Sequence, residues 1–229
     1  MMNISDIDIQ AITVTLKLSS LTVMILLFVS IPLAWWLAFT KNRYKVIIET
    51  LTALPLVLPP TVLGFYLLVF MGAQGPLGKL WIELTGQPLS FSFTGLVIAS
   101  CIYSLPFVVQ PIQAAFERLD KSAIEAAWTL GASRLKSFFT IVIPQARRGL
   151  ITAIVLGFAH TMGEFGVVLM VGGNINGETK VVSIAIYEHV EVLEYASAHT
   201  LAALLLVFSF IVLFLVYSAN RHLQTGFHQ

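Results

Sequence analysis

Four stretches of the chain, residues 18–40, 50–78, 84–116 and 195–220, contain no Asp, Glu, Lys or Arg. A helix needs about 20 mainly apolar residues to cross ~30 Å of hydrocarbon, and each of these runs is long enough. A fifth stretch, residues 149–177, is interrupted only by Glu164. Charged residues make up 11% of the chain and hydrophobic ones 57%; soluble domains carry about 25% charged residues, so lipid is the solvent here. The expected fold class is an all-α integral membrane protein with about five transmembrane helices, near 13–40, 46–71, 92–115, 149–171 and 197–219. A sixth membrane segment arises only if the first run or the loop before the last helix is re-entrant. The first run is too long for a signal-peptide core and has no basic flank before it, so it reads as a retained helix. The 229 residues form one domain with a core over about 11–217.

Cytoplasmic loops are enriched in Lys and Arg. With the N-terminus outside and the C-terminus cytoplasmic, the inner segments hold Lys41, Arg43, Lys45, Arg118, Lys121, Arg134, Lys136, Arg147, Arg148 and Arg221, ten of the thirteen basic residues. Lys79 and Lys180 fall outside, and Lys17 opens the first helix.

Several functions are excluded by composition and motif. The net charge of +1 gives no reason to expect nucleic acid, and the single cysteine, Cys101, reads as an inert thiol in an apolar run. The chain has no G-x-x-x-x-G-K-[ST] phosphate loop with which to hydrolyse ATP, and no H-E-x-x-H or G-x-S-x-G. Glu188, His189 and Glu191 lie in an outer loop with uneven spacing, which reads as a solvated polar face. An intramembrane protease would need a Ser/His pair or paired membrane aspartates, and Asp6, Asp8 and Asp120 are expected outside the spans.

The longest inner loop, about 118–147, is patterned as a helical hairpin. Ser122-Ala123-Ile124-Glu125 fits a capping box, with a helix expected from Ala123. Gly131 suits a turn that needs positive φ, and Ser133, followed by Arg134, caps a second helix through Leu135, Phe138, Phe139 and Val142 until Pro144 limits it. Ala126 and Ala127 give a small-residue face beside Trp128. Periodicity alone allows an interfacial hairpin on the headgroups as readily as a protein contact.

Two features within the spans carry the remaining signal. Pro55, Pro59 and Pro60 in one span must bend or break it, and broken backbone at membrane depth requires a protein or water-filled surrounding. The alternatives are pathway lining, with Thr61 a weak polar candidate and Gly64 giving close approach, and a buried structural kink. Glu164 is a carboxylate inside a span, which by default has a partner and a function. His160, four residues earlier on the same helical face, is a candidate partner. A carboxylate repels anions, so the expectation is a brace or a gate, with Gly163, Phe165 and Gly166 around it and the glycines allowing tight helix contact. No Lys or Arg is expected in the middle of a span, leaving hydroxyls such as Thr61 and Thr161 and backbone N–H groups for an anion.

Glu125-Ala126-Ala127, then Gly131, then Ile143-Pro144, resembles the cytoplasmic "EAA" loop of importer permeases of the ATP-binding cassette (ABC) class. Pro55-Leu56-Val57-Leu58-Pro59-Pro60, Gly64, Gly163-Glu164-Phe165-Gly166, Asn176-Gly177-Glu178-Thr179 and Ser183-Ile184-Ala185-Ile186-Tyr187 are similar to the molybdate, tungstate and sulfate branch, and to molybdate permease subunits in particular. The resemblance runs over about 10–215. It implies the type I ABC importer permease fold in a bacterial cytoplasmic (inner) membrane. It also implies a homodimer with the pathway at its two-fold axis, an ABC ATPase subunit dimer and an external substrate-binding protein. The outer segment 172–196 is expected to form part of the docking surface for that protein. By that resemblance the chain binds no cofactor or metal; ATP and Mg belong to the partner ATPase. Glu125, Ala126, Ala127, Gly131, Ser133 and Arg134 would form the coupling hairpin, and Pro55, Pro59, Pro60, Thr61, Gly64, Gly163, Glu164, Phe165 and Gly166 the pathway or gate. Molybdate is the expected cargo, with tungstate or sulfate and thiosulfate as alternatives. A non-transporting membrane enzyme or scaffold is the reading from another class.

Overall fold

The computed structural model describes residues 5–225, and among them every regular element is helical. The first helix, α1 (Asp6–Phe39), begins well before the expected residue 13, because Ser5 and Asp8 form a reciprocal capping box. That cap brings charge into the helix. Asp8 is buried in the first turn of α1, and Lys17 lies three turns in with Nζ 4.7 Å from the centre of the Phe93 ring. The sequence places Asp8 ahead of this helix and Lys17 at its opening; both lie inside it.

The second expected span is two helices. α2 (Lys45–Val57) and α3 (Pro60–Met71) meet at Leu58–Pro59 with axes 114° apart. Pro60 stands in the first turn of α3, where its missing N–H costs nothing, while Pro59 ends what could have been one rod. Pro55 is accommodated inside α2. A short helix that composition did not single out, α4 (Pro76–Thr85), folds back beneath α3, and Gly86 closes it at φ +71°.

The centre of the molecule is α5 (Phe93–Glu117), packed along α1 on one side and along a long helix from the hairpin on the other. The hairpin is α6 (Lys121–Thr129) and α7 (Arg134–Ser137); a π-helical turn, Phe138–Val142, joins α7 to α8 (Ile143–Gly163) without a break. Pro144 therefore does not stop this helix. The Ile143 N–H reaches Phe138 O, one residue further back than in an α-helix, and the widened turn precedes a proline that has no N–H to contribute.

The fourth span also differs from expectation. α8 ends at Gly163, Glu164 is extended, and the chain restarts as α9 (Gly166–Gly172), so 149–171 is not one helix. α10 (Val182–Glu191) and α11 (Tyr195–Thr225) complete the described chain; of Arg221 only the backbone is described. Among the described residues, four helices or helix runs are long and apolar enough to cross a membrane, and the bent α2–α3 pair makes a fifth if it counts as one span.

Two larger apolar cores, and a smaller one where α1, α10 and α11 meet, follow from this packing. One joins α1, α3, α5 and α9 through Leu18, Met71, Leu96 and Val171. The other joins α1, α5 and α8 to the hairpin through Leu37, Phe116, Ile124 and Val142. Trp35 seals the second, its ring 5.3 Å from Phe116 and 5.5 Å from Phe138. Outside these cores, Phe28, Val57, Leu206 and Phe214 project freely, the pattern of a lipid-facing surface.

Candidate functional site

The hairpin is built from caps. Asp120, not Ser122, is the N-cap of α6: its Oδ1 accepts the Ser122 N–H at 2.9 Å and the Ser122 hydroxyl at 2.7 Å. Those bonds hold the Asp120 carboxyl below its ordinary value. The helix thus starts before Ala123, and the N-cap role expected of Ser122 goes to Asp120. The Glu125 side chain is exposed.

At the other end Gly131 has φ +85°. The Gly131 N–H bonds Trp128 O at 3.0 Å and the Ala132 N–H bonds Ala127 O at 2.9 Å, the paired bonds of a Schellman stop. Ser133 Oγ then accepts the Lys136 N–H at 3.2 Å and starts the second arm. The Arg134 guanidinium sits 5.7 Å from the Trp128 ring centre. Ile124 anchors α6 to the core, while Ala126, Leu130, Leu135 and Phe139 stand exposed around Glu125. A polar hairpin thus presents apolar side chains outward.

The two helix breaks are neighbours. A Cβ on Gly166 would lie 3.0 Å from Pro60 Cβ, and one on Gly64 would lie 3.1 Å from Val167 Cα, so both glycines permit contact between α3 and α9. Gly163 plays no such part: a Cβ there would meet nothing within 4 Å. Glu164 Oε1 accepts the Val167 N–H at 3.0 Å, capping α9, while Glu164 O accepts the Ser183 hydroxyl at 2.7 Å and ties the break to α10. Phe165 sits between, its ring 5.0 Å from Tyr187. Thr61 is exposed beside Pro59 and Pro60, at the start of α3.

His160 does not pair with Glu164. Its Nδ1 is 3.0 Å from Ser104 Oγ and its ring stacks on Phe107 at 3.8 Å. Thr161 Oγ donates to Gly157 O at 2.8 Å, so its contact with Ser104 Oγ, 2.9 Å, must be filled by the Ser104 proton. Ser104 then accepts from His160, which fixes the proton on Nδ1. Thr161 is buried in this chain and is not exposed to a pathway. The Ser183 bond to Glu164 O and the Ser104 chain are tertiary, and no local spacing encodes them.

The opposite end from the hairpin carries an ionic clasp where the uneven spacing of Glu188, His189 and Glu191 predicts a solvated polar face. His189 Nε2 is 2.9 Å from Asp8 Oδ1 and Nδ1 is 3.1 Å from Glu194 Oε2. Lys180 pairs with Glu188, which also accepts from Asn174, and this pairing holds the Glu188 carboxyl below its ordinary value. Tyr187 donates to Glu191 at 2.7 Å. Glu188, His189 and Glu191 therefore serve different partners, and among the described residues no His, Cys, Asp and Glu group could hold a metal.

Partial burial would lower the His189 value, but Asp8 and Glu194 together raise it above 6.5. A histidine raised in the folded state adds stability that is fully present below its unfolded value and is lost as the pH climbs through the folded one. Solubilised protein is therefore expected to lose thermal stability from about pH 6.5 upward. His189→Gln should flatten that slope in a melting series; an unchanged slope would reject the clasp as its source.

These features define a class. Residues 30–226 match the family described as "Binding-protein-dependent transport system inner membrane component", and the chain belongs to that family. It is 57% identical over 220 residues to the molybdenum transport system permease protein ModB of Azotobacter vinelandii, covering 96% of this chain and 97% of that one. It is 40% identical over 186 residues to ModB of Escherichia coli (strain K12), covering 81% of each, and 32% identical over 182 residues to the sulfate transport system permease protein CysT of the same organism, covering 80% of this chain and 65% of that one. Among solved structures, a bacterial alginate ABC transporter in complex with a periplasmic protein matches the fold with a TM-score of 0.76 at 17% identity, over 96% of this chain and 80% of that one.

Proposed function

We propose that this chain is the membrane-spanning subunit of an ATP-driven molybdate importer. The observation that carries the cargo is the 57% identity to a molybdenum permease over nearly the full length of both chains, against 32% and partial coverage for a sulfate permease. Two copies would face each other across a two-fold axis, with the paired breaks at Pro59–Pro60 and Glu164–Phe165 lining or gating the path. Broken backbone next to lipid is costly, so both breaks need protein or water beside them.

The hairpin supports the second half of the proposal. Exposed Glu125, Ala126, Leu130 and Phe139 suit seating in a groove of a partner ATPase. ATP and Mg act in that partner, because this chain has no phosphate loop. The basic end of the molecule then faces the cytoplasm and the N-terminus lies outside. An external binding protein would dock on the segment 172–196 and deliver the anion.

The test of cargo is competition. In membranes holding the full complex, tungstate is expected to block labelled molybdate uptake at comparable concentration, and sulfate only in large excess. Equal competition by sulfate would move the assignment to the sulfate branch.

A further inference from the structure

A slot of about 200 Å³ opens between α11 and the rest of the bundle, at the end of the molecule opposite the hairpin. Leu201, Leu204, Leu205 and Phe208 form its α11 wall, facing Ile12 and Leu16 of α1. Spacings of three and four put each wall on one helix face, so the slot runs along the helices. We infer that it holds one acyl chain of a membrane phospholipid, wedged between α11 and α1.

The slot has nothing with which to hold water or a charge. Among the described residues that line it, none is charged and Thr15 alone has a polar side chain. The Thr15 hydroxyl donates to Ala11 O at 2.7 Å and accepts the Val182 N–H at 2.9 Å. A buried water needs about two to four polar partners, and the slot offers none. Left empty, its walls would forfeit dispersion contacts along their whole length. The occupant is therefore apolar.

Shape narrows the choice to a single chain. From Leu201 to Phe208 the α11 wall is about 10 Å long, which leaves a bore of roughly 20 Å². One extended hydrocarbon chain fits that bore, whereas a helix of a second copy, about 10 Å across, does not. Toward the clasp, Ala11, Ala185 and Leu201 close the slot as a buried cluster. At the other end the Phe208 ring meets Phe158 at 6.1 Å. Leu16, Leu204 and Phe208 are exposed at the rim, so a chain enters from the surrounding bilayer.

The slot reaches the break at Glu164 through one residue. Val182 lines it, and Ser183 beside Val182 donates to Glu164 O. A chain in the slot would hold α10 against α1 and steady that break. The inference does not depend on the cargo, because it rests on apolar geometry alone.

The test uses the full chain, extracted from membranes of phosphatidylcholine or phosphatidylglycerol with identical chains. Native mass spectrometry counts the phospholipid that survives delipidation, and thermal melts follow its return. The wild-type chain is expected to retain one phospholipid, alike for both headgroups, and to gain stability when lipid is restored. Leu205→Trp and Leu16→Trp fill the slot from opposite walls. Each should lower retention at least about tenfold, the effect of withholding about two methylenes from an apolar site. Because an indole then replaces the chain, these variants should melt no lower than the delipidated wild type, which separates filling from misfolding. Leu206→Trp, on the exposed face of α11, should leave retention unchanged. The inference is overturned by the absence of retained phospholipid, by retention that follows the headgroup, or by retention that both fillers leave intact or that Leu206→Trp lowers equally. Fillers that both melt below the delipidated wild type overturn it too. So does a filler that changes the oligomeric state with retention intact, which would assign the slot to a second copy.

Discussion

Gly131→Val is expected to abolish ATP-driven uptake while leaving the membrane-embedded part folded. Gly131 sits at φ +85° at the tip of the hairpin, and a Cβ there would touch nothing within 4 Å. The penalty is therefore wholly in the backbone, about 1–3 kcal/mol for a residue forced into this region and greatest for a β-branched one. That is enough to displace the tip, because α6 is nine residues long and Ile124 is its one buried side chain. The two Schellman bonds would open and Glu125 would swing away from its seat. Initial uptake rates in proteoliposomes should fall at least about tenfold, which needs only ~1.4 kcal/mol at the coupling step. Gly131→Asn tolerates positive φ better and should retain much of the rate. Wild-type uptake by the valine variant would remove the hairpin from the mechanism.

Glu164 carries the second large effect, and two substitutions separate its roles. As a cap it needs an oxygen: Oε1 accepts the Val167 N–H at 3.0 Å. As a charge it needs ionisation. Glu164→Gln keeps an acceptor and removes the charge, whereas Glu164→Ala removes both and exposes the first N–H groups of α9. A first-turn N–H left without its side-chain acceptor costs about 0.5–2 kcal/mol. The account expects the alanine variant to lose thermal stability on that scale and most of its uptake, and the glutamine variant to stay close to wild type. A glutamine variant that is stable yet inactive would show that uptake needs the charge and not the cap.

How far the sequence carried each element depends on whether its cause was local. The break at Pro59–Pro60 was legible because proline acts on its own backbone. The break at Glu164 was not, because Gly163 and Gly166 permit it without forcing it; what holds it is Ser183 from α10 and the Val167 N–H. α1 starts ahead of its charge-free run because Ser5-x-x-Asp8, a capping box readable in the sequence, begins the helix at Asp6. In the hairpin, Gly131 and Ser133 do what their residue types suggest. Asp120 displaces Ser122 because one carboxylate oxygen satisfies both the Ser122 N–H and its hydroxyl. His160 and Glu164 share a spacing of four, yet the helix ends between them; Ser104 claims the imidazole and the Val167 N–H claims the carboxylate. The clasp at His189 joins residues far apart in the chain, Asp8 and Glu194, and no motif announces it.

The central claim is that this chain carries molybdate by taking mechanical work from a separate ATPase through the 120–137 hairpin. Its most direct measurement is labelled molybdate uptake into proteoliposomes that hold the chain, its ATPase and its binding protein, with each component omitted in turn. The account predicts concentrative uptake only when all three and ATP are present, and none when the chain carries Gly131→Val. Uptake that persists without the ATPase, or complete indifference to the hairpin variant, would contradict it.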